Sequence, residues 1–230
     1  MEKQFYIIMG KPGSGKGTQA QLLKAVLEQS HKDVIHVTTG GSFREFIEQD
    51  TFISSRAKEA QNVGLLQPEF LSIWNWTQVF ISKMKKDTTV ILDGAPRKLV
   101  EVEALHGLFP FLGYAYPPII YVDVTDAWSK DRMKYRGATS SEKRPDTDSD
   151  LELDKRIEEF NTHILPCVDA FKRDPRYRFI HINGEQSIED VHKDIMTALN
   201  NHSNLSFNVF KSKGTYETSF GDIAFIVRFN

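Results

Sequence analysis

Hydrophobic positions along this chain follow two alternating rhythms. Short, mostly apolar runs rich in β-branched and aromatic residues occur at Phe5 to Met9, Val34 to Val37, Thr89 to Leu92, Ile119 to Val124 and Arg178 to Ile182. Each has the length of a strand, about five residues. Apolar runs of that length predict strands buried on both faces. Between them, apolar residues recur at helical spacing. Gln19 to Glu28 places Ala20, Leu23 and Leu27 on one face. Glu69 to Lys85 does so with Phe70, Ile73, Trp74 and Phe80-Ile81, and Ser187 to Leu199 with Ile188, Val191, Ile195 and Leu199. The spacing of Phe70 and Trp74 predicts core positions for that pair. Strands alternating with helices predict a parallel sheet covered on both faces, with ligands at the carboxyl ends of the strands.

Two stretches break the rhythm. Gly137 to Leu151 is polar and turn-rich, which predicts a mobile surface loop. Beyond residue 200, Leu205, Phe207 and Val209, then Ile223, Phe225, Val227 and Phe229, alternate with other residues, with Gly214 and Gly221 between the runs. That period of two predicts a small β appendage over 201–230, outside a main domain of residues 1–200.

Composition adds limits. At roughly 150 residues per domain, 230 residues make one domain and an addition. Lys plus Arg is 29 and Asp plus Glu is 31, a net charge of −2 that gives no global sign of nucleic-acid or membrane binding. The single Cys167 offers no internal disulfide and no multi-cysteine zinc site. No apolar run approaches the ~20 residues of a membrane span. The expectation is a soluble, cytoplasmic monomer.

The strongest chemical signal is Gly10-Lys11-Pro12-Gly13-Ser14-Gly15-Lys16-Gly17-Thr18, between a predicted strand and a predicted helix. Glycines let backbone N–H groups curl around phosphate oxygens, the helix start adds positive dipole, and Lys16 neutralises phosphate charge. The general pattern puts Ser or Thr directly after the lysine; here Gly17 intervenes.

This loop, extended through Gln19, resembles the opening of adenylate kinases and related nucleoside monophosphate kinases. Other segments resemble that family in the same order: Thr38-Thr39-Gly40-Gly41-Ser42-Phe43-Arg44, Gly64-Leu65-Leu66-Gln67-Pro68-Glu69, Leu92-Asp93-Gly94-Ala95-Pro96-Arg97, Arg132 to Arg136, Arg144-Pro145-Asp146 with Arg156-Ile157, and Asn183-Gly184. The resemblance spans residues 5 to about 200. It implies an α/β, three-layer P-loop NTPase fold: a five-stranded parallel sheet with helices on both faces, an acceptor-binding segment at 38–67, and a short lid at 136–147. It implies that Gly13, Ser14, Gly15, Lys16, Gly17 and Thr18 hold the ATP phosphates, with Arg132, Gly184 and Gln186 beside the ATP base. Thr39, Gly40, Arg44, Leu65, Leu66, Gln67, Gly94, Arg97 and Glu101 would line the monophosphate site. Arg136, Arg144 and Arg156 would clamp the transferring group, and Asp93 would hold Mg²⁺ through water. Arginine suits these tasks because its planar fork grips phosphate in two places and stays charged. Only seven residues separate Arg136 from Arg144, none a cysteine, so no structural zinc is expected there.

Three positions depart from the family pattern. Glu101 stands where a glutamine reads the acceptor base, Ala95 where a phenylalanine walls the site, and Gly41 where an aspartate follows Thr-Gly. The last predicts looser local order. A carboxylate only accepts hydrogen bonds, which suits a guanine edge better than an adenine edge. Thr39 favours adenine by resemblance. The expected activity is ATP plus AMP giving two ADP. GMP, CMP, UMP or a deoxynucleotide as acceptor, or a nucleotide-binding module without turnover, are the alternatives. The expected partners are these nucleotides, with Mg²⁺ carried by ATP; the tail could mediate a contact.

Overall fold

The computed structural model describes residues 3–30, 33–62, 66–139 and 150–201, and in the C-terminal segment 207–212, 215–220 and 223–228. For residues 136–139, 150–151 and those last strands it describes the backbone alone.

Every strand predicted from the hydrophobic runs is present. They are β1 (Phe5–Gly10), β2 (Val34–Thr38), β3 (Thr89–Asp93), β4 (Pro118–Asp123) and β5 (Arg178–Asn183). They form one parallel sheet in the order β2-β3-β1-β4-β5. β1 is the central strand and is buried along its whole length, which is why its sequence lacks a polar alternation. Phe5, Ile7 and Met9 join one core with Trp76, Phe80, Leu105, Phe109, Cys167 and Phe171. Tyr6 and Ile8 face the other core with Leu23, Leu27, Val191, Ile195 and Leu199. Helices on both faces therefore make three layers. Each fully buried aliphatic side chain contributes about 1.5–3 kcal/mol, so the two cores dominate the stabilisation.

The helices are α1 (Lys16–Gln29), α2 (Thr39–Ile47), α3 (Phe52–Asn62), α4 (Glu69–Lys83), α5 (Leu99–Leu112), α6 (Asp126–Thr139), α7 (Asp150–Glu159), α8 (Leu165–Arg173) and α9 (Ile188–Asn200); a π-helical turn, Phe160–Ile164, joins α7 to α8. α5 stops at Gly113, whose φ of 67° is the left-handed cap that ends many helices. A third small core of Phe43, Phe46, Ile47, Ala57 and Leu71 ties α2, α3 and α4 together. The acceptor segment thus has its own packing.

Two expectations change here. The loop expected from Gly137 begins later, because the backbone of α6 continues to Thr139. Residues 140–149, which hold most of the expected lid, lie outside the described residues. In α4 the buried face is Leu71, Asn75, Trp76, Val79 and Phe80. Phe70 is 63% exposed and Trp74 41%, while Trp76 is 2% exposed. This helix is apolar on more than one side, so spacing alone did not choose the face. Trp74 instead lies on Phe46, ring centroids 4.9 Å apart.

In the C-terminal segment, the backbone forms an antiparallel three-stranded sheet of β6 (Phe207–Ser212), β7 (Thr215–Phe220) and β8 (Ile223–Arg228). Among the described residues, no helix is long and apolar enough to cross a membrane.

Candidate active site

The glycine-rich loop leaves the carboxyl end of β1 at Gly10 and turns into α1. Two of its residues need the left-handed region that glycine tolerates: Gly13 at φ 78° and Gly15 at φ 85°. Gly13 is also spatially required. A Cβ there would lie 2.8 Å from the Ser129 carbonyl and 3.3 Å from Arg132 Cβ, both on α6. The loop is tied to the same helix where Ser129 Oγ donates to the Pro12 carbonyl (2.6 Å) and Lys11 Nζ pairs with Asp126 (2.9 Å). Lys16 Nζ reaches back to the Lys11 carbonyl at 3.3 Å, spanning the mouth of the loop. Lys11 is thus committed to the scaffold, and Lys16 crosses the concave side.

Asp93 ends β3, and the sheet order sets β3 between β1 and β2. Its carboxylate therefore lies between the loop after β1 and the helix after β2. It is buried, and its Oδ1 has no hydrogen-bond partner among the described residues. Oδ2 lies 3.7 Å from His36 Nε2. It would also lie 3.4 Å from a Cβ at position 17, so the carboxylate crowds the place where the general pattern has Ser or Thr. The spacing alone did not single out His36; the parallel register of β2 on β3 brings it to this carboxylate.

Across the sheet edge, α2 opens at Thr39. The Thr39 hydroxyl donates to the Gly94 carbonyl (2.8 Å) and accepts from Arg97 Nη2 (3.3 Å). Arg97 Nε donates to the same Gly94 carbonyl at 2.8 Å. A Cβ on Gly40 would lie 3.5 Å from Arg44 Nη1 and 3.9 Å from Arg97 Nη2. Two guanidinium groups therefore converge on the first turn of a helix, where N–H groups also point outward. Burial lowers the Arg97 pKa first of all; Glu101 and Asp93 raise it, and the like charge of Arg44 lowers it again. Asn75, on α4, supports the turn by donating to the Thr39 carbonyl at 2.9 Å. It went unremarked in the sequence, although a lone polar residue between Trp74 and Trp76 was its signal.

Comparisons with known proteins point to one family. The adenylate kinase family model matches residues 8–175. The adenylate kinase of Flavobacterium johnsoniae is 28% identical over 198 residues, which is 85% of this chain and 97% of that protein. That of Bacteroides fragilis is 32% identical over 193 residues, 84% of this chain and 96% of its own. That of Bacteroides thetaiotaomicron is 31% identical over 193 residues, with the same coverage of both. This chain belongs to the adenylate kinase family.

Within that family of phosphotransferases, the remaining expected positions divide. Arg132 flanks the loop at Gly13 and lies over the Tyr135 ring at 5.8 Å. Arg156 is half-buried on α7, which packs on α6 through Met133, Leu153 and Ile157. The Arg136 side chain, Arg144 and Leu65 lie outside the described residues. Leu66 is half-buried, and Gln67 donates to the Ala57 carbonyl at 3.1 Å. Gly184 packs so closely on β4 that a Cβ would lie 2.8 Å from Val122 Cγ1. Gln186 Nε2 donates to Asn183 O and Asp194 Oδ2, so its amide is engaged within the protein.

The three departures from the family pattern also take definite places. At Gly41 a Cβ would lie 2.4 Å from Thr38 Oγ1, so a side chain there would displace its neighbour. Ala95 is buried in the large core. Glu101 differs most. It is 1% exposed, so it does not point into solvent. Its Oε1 accepts from the Arg97 backbone N–H and its Oε2 from Trp76 Nε1, each at 3.1 Å.

Proposed function

We propose that this chain transfers the γ-phosphoryl group of ATP to AMP, giving two ADP. The observation that carries this reading is the convergence of Arg44 and Arg97 on the N-terminal turn of α2, on the opposite side of Asp93 from the phosphate loop. One anion site lies on each side of a single carboxylate, as a two-nucleotide reaction requires. The names of the relatives and Thr39 support adenine in the acceptor.

The chemistry follows from this arrangement. An oxygen of the acceptor α-phosphate forms the new bond to Pγ as the bond from Pγ to the bridging oxygen of ATP breaks; ADP leaves with that electron pair. The acceptor is already ionised, so no proton must be removed and no base is needed. Transfer is direct, without a phosphoenzyme. The protein's task is to hold two polyanions in line and to stabilise charge spread over the transferring oxygens. Gly13 to Thr18 hold the ATP phosphates through backbone N–H groups, with Lys16 on the β and γ phosphates. Thr39, Arg44 and Arg97 hold the acceptor phosphate. Arg136, Arg144 and Arg156 would close over the transferring group with the lid, and Arg132 would lie beside the ATP base.

The residues present fit magnesium. Asp93 offers a buried carboxylate oxygen with no protein partner among the described residues, beside the phosphate loop. Mg²⁺ prefers one or two carboxylates together with waters and substrate phosphates. Among the described residues, no group of three or more His, Cys, Asp or Glu forms a protein-only metal cage. When bound, the ion neutralises charge on the β and γ phosphates.

A coupled assay of ATP with AMP, GMP, CMP and UMP in turn tests the reading. Turnover should be fastest with AMP. No turnover with any monophosphate, despite ATP binding, would overturn it.

A further inference from the structure

We propose that Glu101 is a positioning residue for the acceptor-phosphate arginine, Arg97, and that it does not read the acceptor base. This inference rests on the acceptor site proposed above and concerns how that site selects its substrate.

The geometry is specific. Glu101 occupies the third position of α5, which starts at Leu99. A glutamate there can turn back to backbone N–H groups ahead of the helix, as in a capping box, and its charge suits the helix N-terminus. Here Oε1 takes the Arg97 N–H, one residue before the Lys98 cap. Lys98 makes no side-chain cap of its own. Oε2 takes the indole N–H of Trp76, which is buried against Phe80. The carboxylate thus joins α4 to the turn that carries Arg97.

That turn is short and heavily used. Arg97 Nε and Thr39 Oγ1 both donate to the Gly94 carbonyl, and Arg97 Nη2 donates to Thr39 Oγ1. Asn75 holds Thr39 from the same helix that carries Trp76. Two residues of α4 therefore fix the two walls of the phosphate site, Asn75 through Thr39 and Trp76 through Glu101. With both oxygens turned to protein donors and the side chain buried, little of Glu101 remains for a nucleobase. Burial raises its pKa, while the Arg97 and Trp76 hydrogen bonds favour the charged form.

The observed pose suits a carboxylate. Each of its two oxygens faces one N–H donor, Arg97 N–H at Oε1 and Trp76 Nε1–H at Oε2. An amide in the same pose would set its own N–H against one of them, and could satisfy both only by turning its single oxygen to the two together. This explains why Glu is present where the family pattern has Gln: Trp76 presents a donor from below. Selection of the acceptor at this position then falls on its phosphate, and the Watson–Crick edge is left to other contacts.

The test is Glu101→Gln in the full chain, with calorimetric binding and steady-state rates for AMP, GMP and CMP. Affinity for all three monophosphates should fall by the same factor, about tenfold, the effect of losing a hydrogen bond to a charged group. KM for the acceptor should rise accordingly, with kcat at saturating acceptor and ATP affinity held to within about twofold. A purely structural defect would instead weaken both nucleotides. A change in the AMP-to-GMP ratio of tenfold or more would overturn the inference and make Glu101 a base reader. Unchanged binding of every monophosphate would overturn it too. If Glu101→Gln does not fold, Trp76→Phe carries the test: it removes one donor, and the same uniform loss is expected. Wild-type acceptor affinity in that variant would count against the inference. Failure of the wild-type protein to bind any monophosphate would remove the acceptor site itself, and this inference with it.

Discussion

Single residues set limits that composition hides. His192 is buried on α9, with Nδ1 3.2 Å from Gln19 Oε1. Burial pushes its pKa down from 6.5 to about 4. The unfolded chain therefore takes up a proton as pH falls through 6.5, while the folded chain resists until about 4. Stability from this group is whole above pH 6.5 and is lost as pH falls toward 4, by on the order of 3 kcal/mol. Urea melts across that window should show the wild type losing more stability than His192→Gln, by about that amount. An equal loss in both would show that the proton goes elsewhere. Gly13 sets a different limit. Gly13→Ala must place a Cβ against the Ser129 carbonyl while keeping φ near 78°. ATP binding should weaken by about tenfold or more, because the loop must move to fit, whereas the thermal melt should shift little. Unchanged ATP affinity would show that the loop tolerates the side chain.

Among the elements, α4 is the most informative. One helix carries a buried tryptophan, a half-exposed tryptophan and an exposed phenylalanine within seven positions, 70–76. Trp76→Ala should cost about 3–5 kcal/mol, since the cavity lies under both the sheet and Glu101. Phe70→Ser should cost no more than about 0.5 kcal/mol. Denaturant melts of the two variants decide which face is core; the reverse order would mean that α4 is rotated. The same helix couples stability to the site, because Asn75 and Trp76 donate to Thr39 and Glu101. α1 shows a simpler link: its Gly15 cap and first turn are part of the phosphate loop, while Leu23 and Leu27 seal the core.

For the whole molecule, the division near residue 200 carries the prediction. Among the described residues, the two main cores draw on residues 5 to 199. The relatives span 84–85% of this chain but 96–97% of themselves, so the chain carries sequence beyond the shared unit. Deleting 203–230 should leave the rate of phosphoryl transfer within about twofold. Loss of transfer in the truncated chain would give the C-terminal sheet a part in the fold or the site. Much of the main domain was legible in one dimension. The inner strands β1, β3 and β4 were plain because both of their faces are buried, and the edge strands β2 and β5 because one face still carries an apolar run. The phosphate loop was plain because φ near 80° at Gly13 and Gly15 and contact with a polyanion demand glycines and a lysine at near-fixed spacing. α5, α6 and α8 were less so, since a helix in the middle of a folded chain draws its stability from packing that no window of sequence contains. The same holds at the site. Local sequence by itself determined the glycine-rich strand–loop–helix, because its shape is carried by consecutive backbone groups. Only the tertiary structure decided which side of α4 is buried, that His36 meets Asp93, and that Glu101 takes the Trp76 indole N–H. Those outcomes depend on donors and acceptors that are distant in sequence and meet only after the sheet has set its order.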